Sequence, residues 1–283
     1  MRIIFSRKGF DSSAGRCPSP IWPNGRLLSL PIPGDESPIA YKDIAWGEYN
    51  LGEIVTSLTN GRIKPDYRAH LDPDLDANSI PRPEGWRPIF GQANAAQGHL
   101  RNQGVGPGDL FLFFGLFREV IVAENQIQFK PDSPAKHIIW GWLQIEAKTA
   151  VDETAVVQWP WAQYHPHFHF QLQRSSNTVY IAREQLDLPG LAEQQIAGGG
   201  IFPRFMPKLQ LTAPNSSVSY WKLPLWMCPE GKASALSYHG KLNKWRRQDD
   251  HVLLQTASPG QEFVLDCGDY PEAIQWAGSL FAR

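Results

Sequence analysis

The chain has 283 residues, 42% hydrophobic and 19% charged, with 27 Lys plus Arg against 28 Asp plus Glu for a formal net charge of -1. That composition supplies a core, excludes disorder throughout, and leaves no global basic field, so any nucleic-acid contact must come from a local patch. No apolar run approaches the roughly 20 residues of a membrane span, and the N-terminus has no apolar signal segment. Cys17, Cys228 and Cys267 are too few and too scattered for a disulfide framework or a zinc ribbon. The expectation is a soluble, cytoplasmic protein with no membrane partner, folded as one unit over residues 1–283. Gly and Pro at 24 each favour short strands and tight turns. The 11 Trp fill a core or line a cleft for a flat ligand such as a nucleobase.

Ile3, Ile4 and Phe5 make residues 1–6 a short strand that runs straight into a polar loop, 7–15. Pro18, Pro20, Pro23, Pro31 and Pro33 then preclude a regular helix, with a short strand expected at 27–30. Ile44, Leu51, Ile54, Val55 and Leu58 fall on one helical face, and Asn60-Gly61 stops it. Residues 64–88 read as an ordered loop or crossover. A second helix covers 93–103, stops at Gly104, and a turn leads into a buried strand at 110–114. Further strands are expected at 119–123, 126–129, 137–147, 178–182, 208–211, 252–256 and 262–266. Gly198-Gly199-Gly200 is a candidate flexible point. The chain ends in an amphipathic helix over 271–281. The fold class is therefore α+β, strand-dominated and compact, with a few short helices.

Several constellations could carry chemistry. In the first loop, Arg7 and Lys8 with amides freed by Gly9 and Gly15 could hold a phosphate, helped by Ser12 and Ser13. Asp11 there is a general base, a metal ligand or a ribose contact; alternatively it caps a turn. In His70-Leu71-Asp72-Pro73-Asp74-Leu75-Asp76, extended backbone would put His70, Asp72, Asp74 and Asp76 on one face, as ligands for a divalent metal such as Mg²⁺ or as an acid–base pair. His165, His167 and His169 alternate and would suit a transition metal if extended. Pro131-Asp132 with Glu146 and Lys148 spells a short metal-dependent nuclease pattern. Gln92, Asn94 and Gln97 are amides of the kind that read a base edge, or else caps. Lys241, Lys244, Arg246 and Arg247 surround Trp245 as a local basic patch, and Glu262 at a strand entry is catalytic or answers a nearby cation.

The chain resembles the nucleotide modification associated domain family, third type. The resemblance rests on Phe5-Ser6-Arg7-Lys8-Gly9-Phe10-Asp11-Ser12-Ser13-Ala14-Gly15 and His70-Leu71-Asp72-Pro73-Asp74, and continues through Phe90-Gly91-Gln92, Gly108-Asp109-Leu110-Phe111-Leu112-Phe113-Phe114-Gly115, Pro166-His167 and Gly260-Gln261-Glu262-Phe263. Arg16 departs from the pattern, where a second Gly is expected. The resemblance implies a nucleotide or nucleic-acid partner but supplies no reaction. More weakly, Pro107 to Phe113 and Trp140 to Ile145 are similar to the pseudobarrel of PUA-like and EVE-like modules, some of which bind modified bases. The leading expectation is a protein that binds a nucleotide phosphate on the 7–15 loop and modifies the base. The alternatives are a non-catalytic reader of modified bases and a metal-dependent nuclease.

Overall fold

The apolar run Ile3-Ile4-Phe5 is fully buried in β1 (Arg2–Arg7), the first strand of the computed structural model, which describes residues 1–123, 126–169, 176–256 and 262–282. Short strands follow: β2 (Ser19–Ile21), β3 (Ile32–Pro33), β4 (Ala45–Trp46), β5 (Tyr49–Asn50), β6 (Ala69–His70) and β7 (Ile89–Gln92). Next come β8 (Leu110–Ala123), β9 (Gln126–Phe129), β10 (Lys136–Ala150), β11 (Thr178–Ala182) and β12 (Gly199–Ile201). The last are β13 (Tyr220–Pro224), β14 (Trp245–Arg247), β15 (His251–Gln255) and β16 (Glu262–Asp266). The described helices are α1 (Leu51–Leu58), α2 (Asn94–Asn102), α3 (Glu153–Gln158) and α4 (Glu272–Phe281), with single 3₁₀ turns between. None is long and apolar enough to cross a membrane.

The main sheet has nine described strands in the order β16-β1-β8-β10-β11-β7, with β12 on β10 and β2 and β9 on β8. β1 runs parallel to β8, which requires a long crossover, and residues 8–109 provide it. β10 pairs through its first half with β8 and through its second half with β11, with register shifts at Ile139/Gly141 and Ile145/Ala147. Bulged strands that change partners make sheet corners. Here the corner folds β11 and β7 back across the face of β8, so that Phe90 packs edge-on against Phe111 and Phe113 at 4.9 and 5.2 Å between ring centres. The sheet curls but does not close, so the pseudobarrel expectation is not met; the α+β, strand-dominated class is. β13, β15 and β14 form a separate three-stranded sheet. One core fills the curled sheet, and a second, around Phe10, Trp22, Tyr41, Trp46 and α1, lies against it. Phe5 belongs to the first and Phe10 to the second, so the polar loop between them runs along the seam.

Some expected elements differ. Residues 27–30 make one bridge, Ile21 to Leu27, because the amides of Leu28 and Leu30 go to Pro20 O and Ser19 Oγ instead of a ladder. The first helix starts only at Leu51, where Asn50 caps it by accepting from the Gly52 amide, and leaves Ile44 in a preceding turn. Residues 110–114 and 119–123 are one continuous strand. Pro207 begins a 3₁₀ turn over Pro207–Leu209 in place of the strand expected at 208–211. Gly199 and Gly200 are not a flexible point but part of β12, where a Cβ on Gly200 would come within 3.0 Å of the Trp142 ring.

Candidate functional site

β1 delivers Arg7 and Lys8 to the seam. There the chain leaves the sheet through Gly9, which has φ +93° and room for no side chain, since a Cβ would lie 2.6 Å from Ser29 Oγ. The loop then closes on itself. Asp11 Oδ1 accepts from the amides of Ser13 (2.7 Å) and Ala14 (2.8 Å) and from Ser13 Oγ (2.7 Å), while Oδ2 takes an ion pair from Arg7. Burial pushes the Asp11 carboxyl up, but these donors and the Arg7 cation outweigh it and hold it at about 2. A carboxylate so satisfied is a weak base. Gly15 packs its bare Cα on the Phe10 ring, and Arg62 donates to its carbonyl.

Lys8 points the other way, to Glu262 Oε1 at 3.1 Å, with its ammonium 4.6 Å from the centre of the Phe90 ring. Gln92 Nε2 donates to the same oxygen at 2.6 Å. Glu262 is fully buried, and burial pushes its carboxyl up although Lys8 and Gln92 oppose that. Glu262 thus answers a cation beneath the site instead of opening into it. The neighbouring Gly260 and Gln261 of its motif lie outside the described residues.

The facing wall is built by residues 69–74, β7 and the 3₁₀ turn Pro166–Phe168. Asp72 is buried, with Oδ1 accepting from the Gly91 amide at 2.7 Å. His165 Nε2 lies 3.2 Å from Oδ1, and His70 Nε2 and His167 Nε2 each lie 3.7 Å from Oδ2. Burial alone would raise the Asp72 carboxyl, yet the imidazoles of His165, His70 and His167 hold it well below the carboxylate range. Burial dominates at His167 and lowers it to about 3, against the opposing pull of the Asp72 carboxylate. Asn177 fixes the tautomer: its Nδ2 donates to the His167 carbonyl (2.8 Å), so its Oδ1 must accept from His167 Nδ1 (2.5 Å). His167 Nε2 is thereby turned toward Asp72 Oδ2. Gly91 makes this possible, because a Cβ there would fall 2.2 Å from the ring.

The two walls enclose one cleft of about 210 Å³, lined by Arg7, Lys8, Gly9, Asp11 and Ser13 on one side and by His70, Asp72, Gly91 and His167 on the other. Gln92, Ala93 and Asn94 close one end. They bring in the start of α2, whose first turn has no acidic residue and no side-chain cap. Free amides and the helix dipole there favour an anion.

Not every expected site residue is in this cleft. Ser12 and Gly15 shape the loop without lining it. Gln97 is buried and accepts from the Tyr180 hydroxyl. Asp74 does not share a face with Asp72. It is fully buried in a two-pronged ion pair with Arg82 (2.5 and 2.7 Å), accepts from the Tyr164 hydroxyl, and borders a smaller apolar recess with Trp46 and Trp140. The alternation of three histidines fails because Pro166 starts a 3₁₀ turn. His165 and His167 reach Asp72, while His169 is exposed and bonds Gln163 O. Asp132 sits in the turn before β10, and Glu146, ten residues and roughly 33 Å into that strand, pairs with Arg87. Lys148 donates to Val105 O, so the nuclease trio is not assembled. In the basic patch, Trp245 is buried, and Lys244 and Arg247 are engaged by Gln255 and Glu230. Sequence reasoning quoted Gly91 within the Phe90-Gly91-Gln92 motif without giving it a role, and missed Ala93 and Asn177, since nothing in their spacing marks them. It placed His70 beside Asp72 and looked for Asp11, Asp72 and His167 to converge in one cleft, as they do.

The family model described as nucleotide modification associated domain 3 matches residues 2–266, nearly the whole chain. No curated protein and no solved structure matches.

Proposed function

The chain belongs to the nucleotide modification associated domain 3 family, and on that premise we propose that its cleft binds a single nucleotide and presents it to the Asp72 cluster for modification. The phosphate lies against Arg7, Lys8 and the amides at the start of α2. Asn94 sits where it can meet donor and acceptor edges, while Gln92 is held by Glu262 and the Ala93 amide. The reacting group faces His70, Asp72 and His167. A cleft of about 210 Å³ is far too small for a duplex, so a base in DNA would enter only from a single strand or by flipping out.

The observation that supports this reading best is the convergence of the two walls. Cations and free helix amides stand opposite a buried carboxylate flanked by imidazoles, in one cavity, from four separate stretches of chain. A reader of modified bases would call for an aromatic cage. No Trp, Tyr or Phe is among the described residues lining the cleft, and six of the 11 Trp, including Trp140 and Trp221, are in the buried core.

Calorimetric titration of the four deoxynucleoside 5′-monophosphates against their nucleosides tests the phosphate end. At least one monophosphate is expected to bind about tenfold or more tightly than its nucleoside, about 1.4 kcal/mol, and Arg7→Ala is expected to remove that advantage. Equal affinities for nucleotide and nucleoside in the wild-type chain would overturn the assignment.

A further inference from the structure

We propose that His70, Asp72 and His167 bind one divalent first-row transition metal, with open coordination positions facing the cleft. The three residues offer ligand atoms that all lie within 4.8 Å of one another. The inference deepens the reading above and rests on the same cleft, but it is carried by a separate observation. His70 and His167 both turn Nε2 toward the same oxygen, Asp72 Oδ2, at 3.7 Å, and Asn177 holds the His167 ring in that orientation through Nδ1. Both imidazole nitrogens stand 3.7 Å from Oδ2, beyond hydrogen-bond length. Ligands about 2.1 Å from a common ion are roughly 3.0–3.4 Å apart in octahedral or tetrahedral geometry. The two histidine–carboxylate spacings need a contraction of a few tenths of an ångström, and the three ligand atoms together already lie within 4.8 Å of one another.

The surroundings fit the same purpose. The Gly91 amide holds Asp72 Oδ1 and leaves Oδ2 for the ion. The Asn177 amide orients His167 as outer partners orient the histidines of metal sites. Two nitrogens and one carboxylate oxygen suit Fe²⁺, Mn²⁺, Co²⁺ or Zn²⁺, whereas Mg²⁺ and Ca²⁺ prefer oxygen alone. Three protein ligands leave at least one position for water or substrate. Those positions open toward the phosphate-binding wall, because the three ligands themselves line the cleft.

The test uses the full chain, freed of metal by a chelator and titrated with Co²⁺ in the absence of nucleotide, followed by visible absorbance and calorimetry. One Co²⁺ per chain is expected with a micromolar or tighter Kd, displaced by Zn²⁺ and unaffected by millimolar Mg²⁺. Asp72→Asn and His167→Ala are each expected to weaken binding by at least about 100-fold. Asn177→Ala, a positioning change, should weaken it by about 10–100-fold and shift the Co²⁺ spectrum, which a merely structural role would not do. If the buried variants fail to fold, His70→Gln, the most exposed of the three ligands, carries the same expectation. Absence of stoichiometric Co²⁺ or Zn²⁺ binding by the wild-type chain, or unchanged binding in His70→Gln, would refute the proposal. Because nucleotide titrations on the chelated protein report on the Arg7 wall alone, either reading can fail without the other.

Discussion

Asp11 and Asp72 sit on facing walls of one cleft, both held below the ordinary carboxylate range, and the causes differ. Around Asp11 the partners are local: amides two and three residues on, and Arg7 one turn back. The loop answers its own charge, so the carboxylate fixes a shape. Around Asp72 the partners come from a strand about twenty residues away and a turn nearly a hundred away, and they are imidazoles with lone pairs to offer. That wall is assembled from distant stretches of chain around one carboxylate. Similar letters in two short motifs thus serve architecture in one case and chemistry in the other, and the sign of a substitution should separate them.

The largest expected effect lies behind the Asp72 wall. Asp74→Ala leaves Arg82 buried without its two-pronged partner and strips Tyr164 of its acceptor. Breaking a buried pair in this way costs roughly 3–5 kcal/mol, read by urea denaturation. Asp72→Asn, two residues away, keeps an oxygen for the Gly91 amide and is expected to change stability by no more than about 1 kcal/mol. Equal losses in the two variants would erase the distinction between an anchoring carboxylate and a reactive one.

A smaller effect tests the other wall. Asp11→Asn preserves the oxygen that caps Ser13 and Ala14 but removes the charge facing Arg7. Stability should fall by about 1 kcal/mol for this partly exposed pair, while affinity for a nucleoside monophosphate should rise severalfold as Arg7 is released. The pH dependence has a definite sign. Asp11 is near 2 when folded and near 3.8 when unfolded, so its stabilisation is complete above about pH 4 and fades as pH falls toward 2. The gap in melting temperature between wild type and variant should therefore narrow between pH 5 and pH 2.5. Weaker phosphate binding in the variant would instead place Asp11 among the ligand contacts.

How much of this was legible follows from what sequence patterns encode. Runs such as Ile3-Ile4-Phe5 and Leu110-Phe111-Leu112-Phe113-Phe114 announce strands buried on both faces, and Pro271 with its periodic apolar residues announces α4. Four-residue β7, containing Gly91, and three-residue β12, containing Gly199 and Gly200, have no such run; they are strands because β11 and β10 supply their partners. The site divides likewise. Arg7, Lys8 and Asp72 stand out as polar residues beside buried ones. The approach of His167 to Asp72 depends on the corner in β10 and on a 3₁₀ turn at Pro166, which no local spacing specifies. Alternation misled twice, at Asp74 and at His169, because the chain bends at Pro73 and turns at Pro166.

The smallest effect isolates the backbone of the first loop from its charges. Arg16 adopts φ +55° directly after Gly15 at φ +75°, so two successive left-handed residues turn the chain back. For an L-residue that conformation costs roughly 1–2 kcal/mol, and glycine would avoid it while losing about 0.5–1 kcal/mol of its greater unfolded freedom. Arg16 is exposed and its side chain is not among the residues lining the cleft, so little else is at stake. Arg16→Gly should therefore stabilise the chain by up to about 1 kcal/mol, a rise in melting temperature of a few degrees, with nucleotide affinity unchanged. A fall in melting temperature would mean that the arginine contributes contacts outweighing its backbone cost. A fall in affinity with stability preserved would move the anion toward Arg16 and away from the α2 end of the cleft, and the contrast between a self-satisfied wall and a reactive one would then have to be redrawn around that cation.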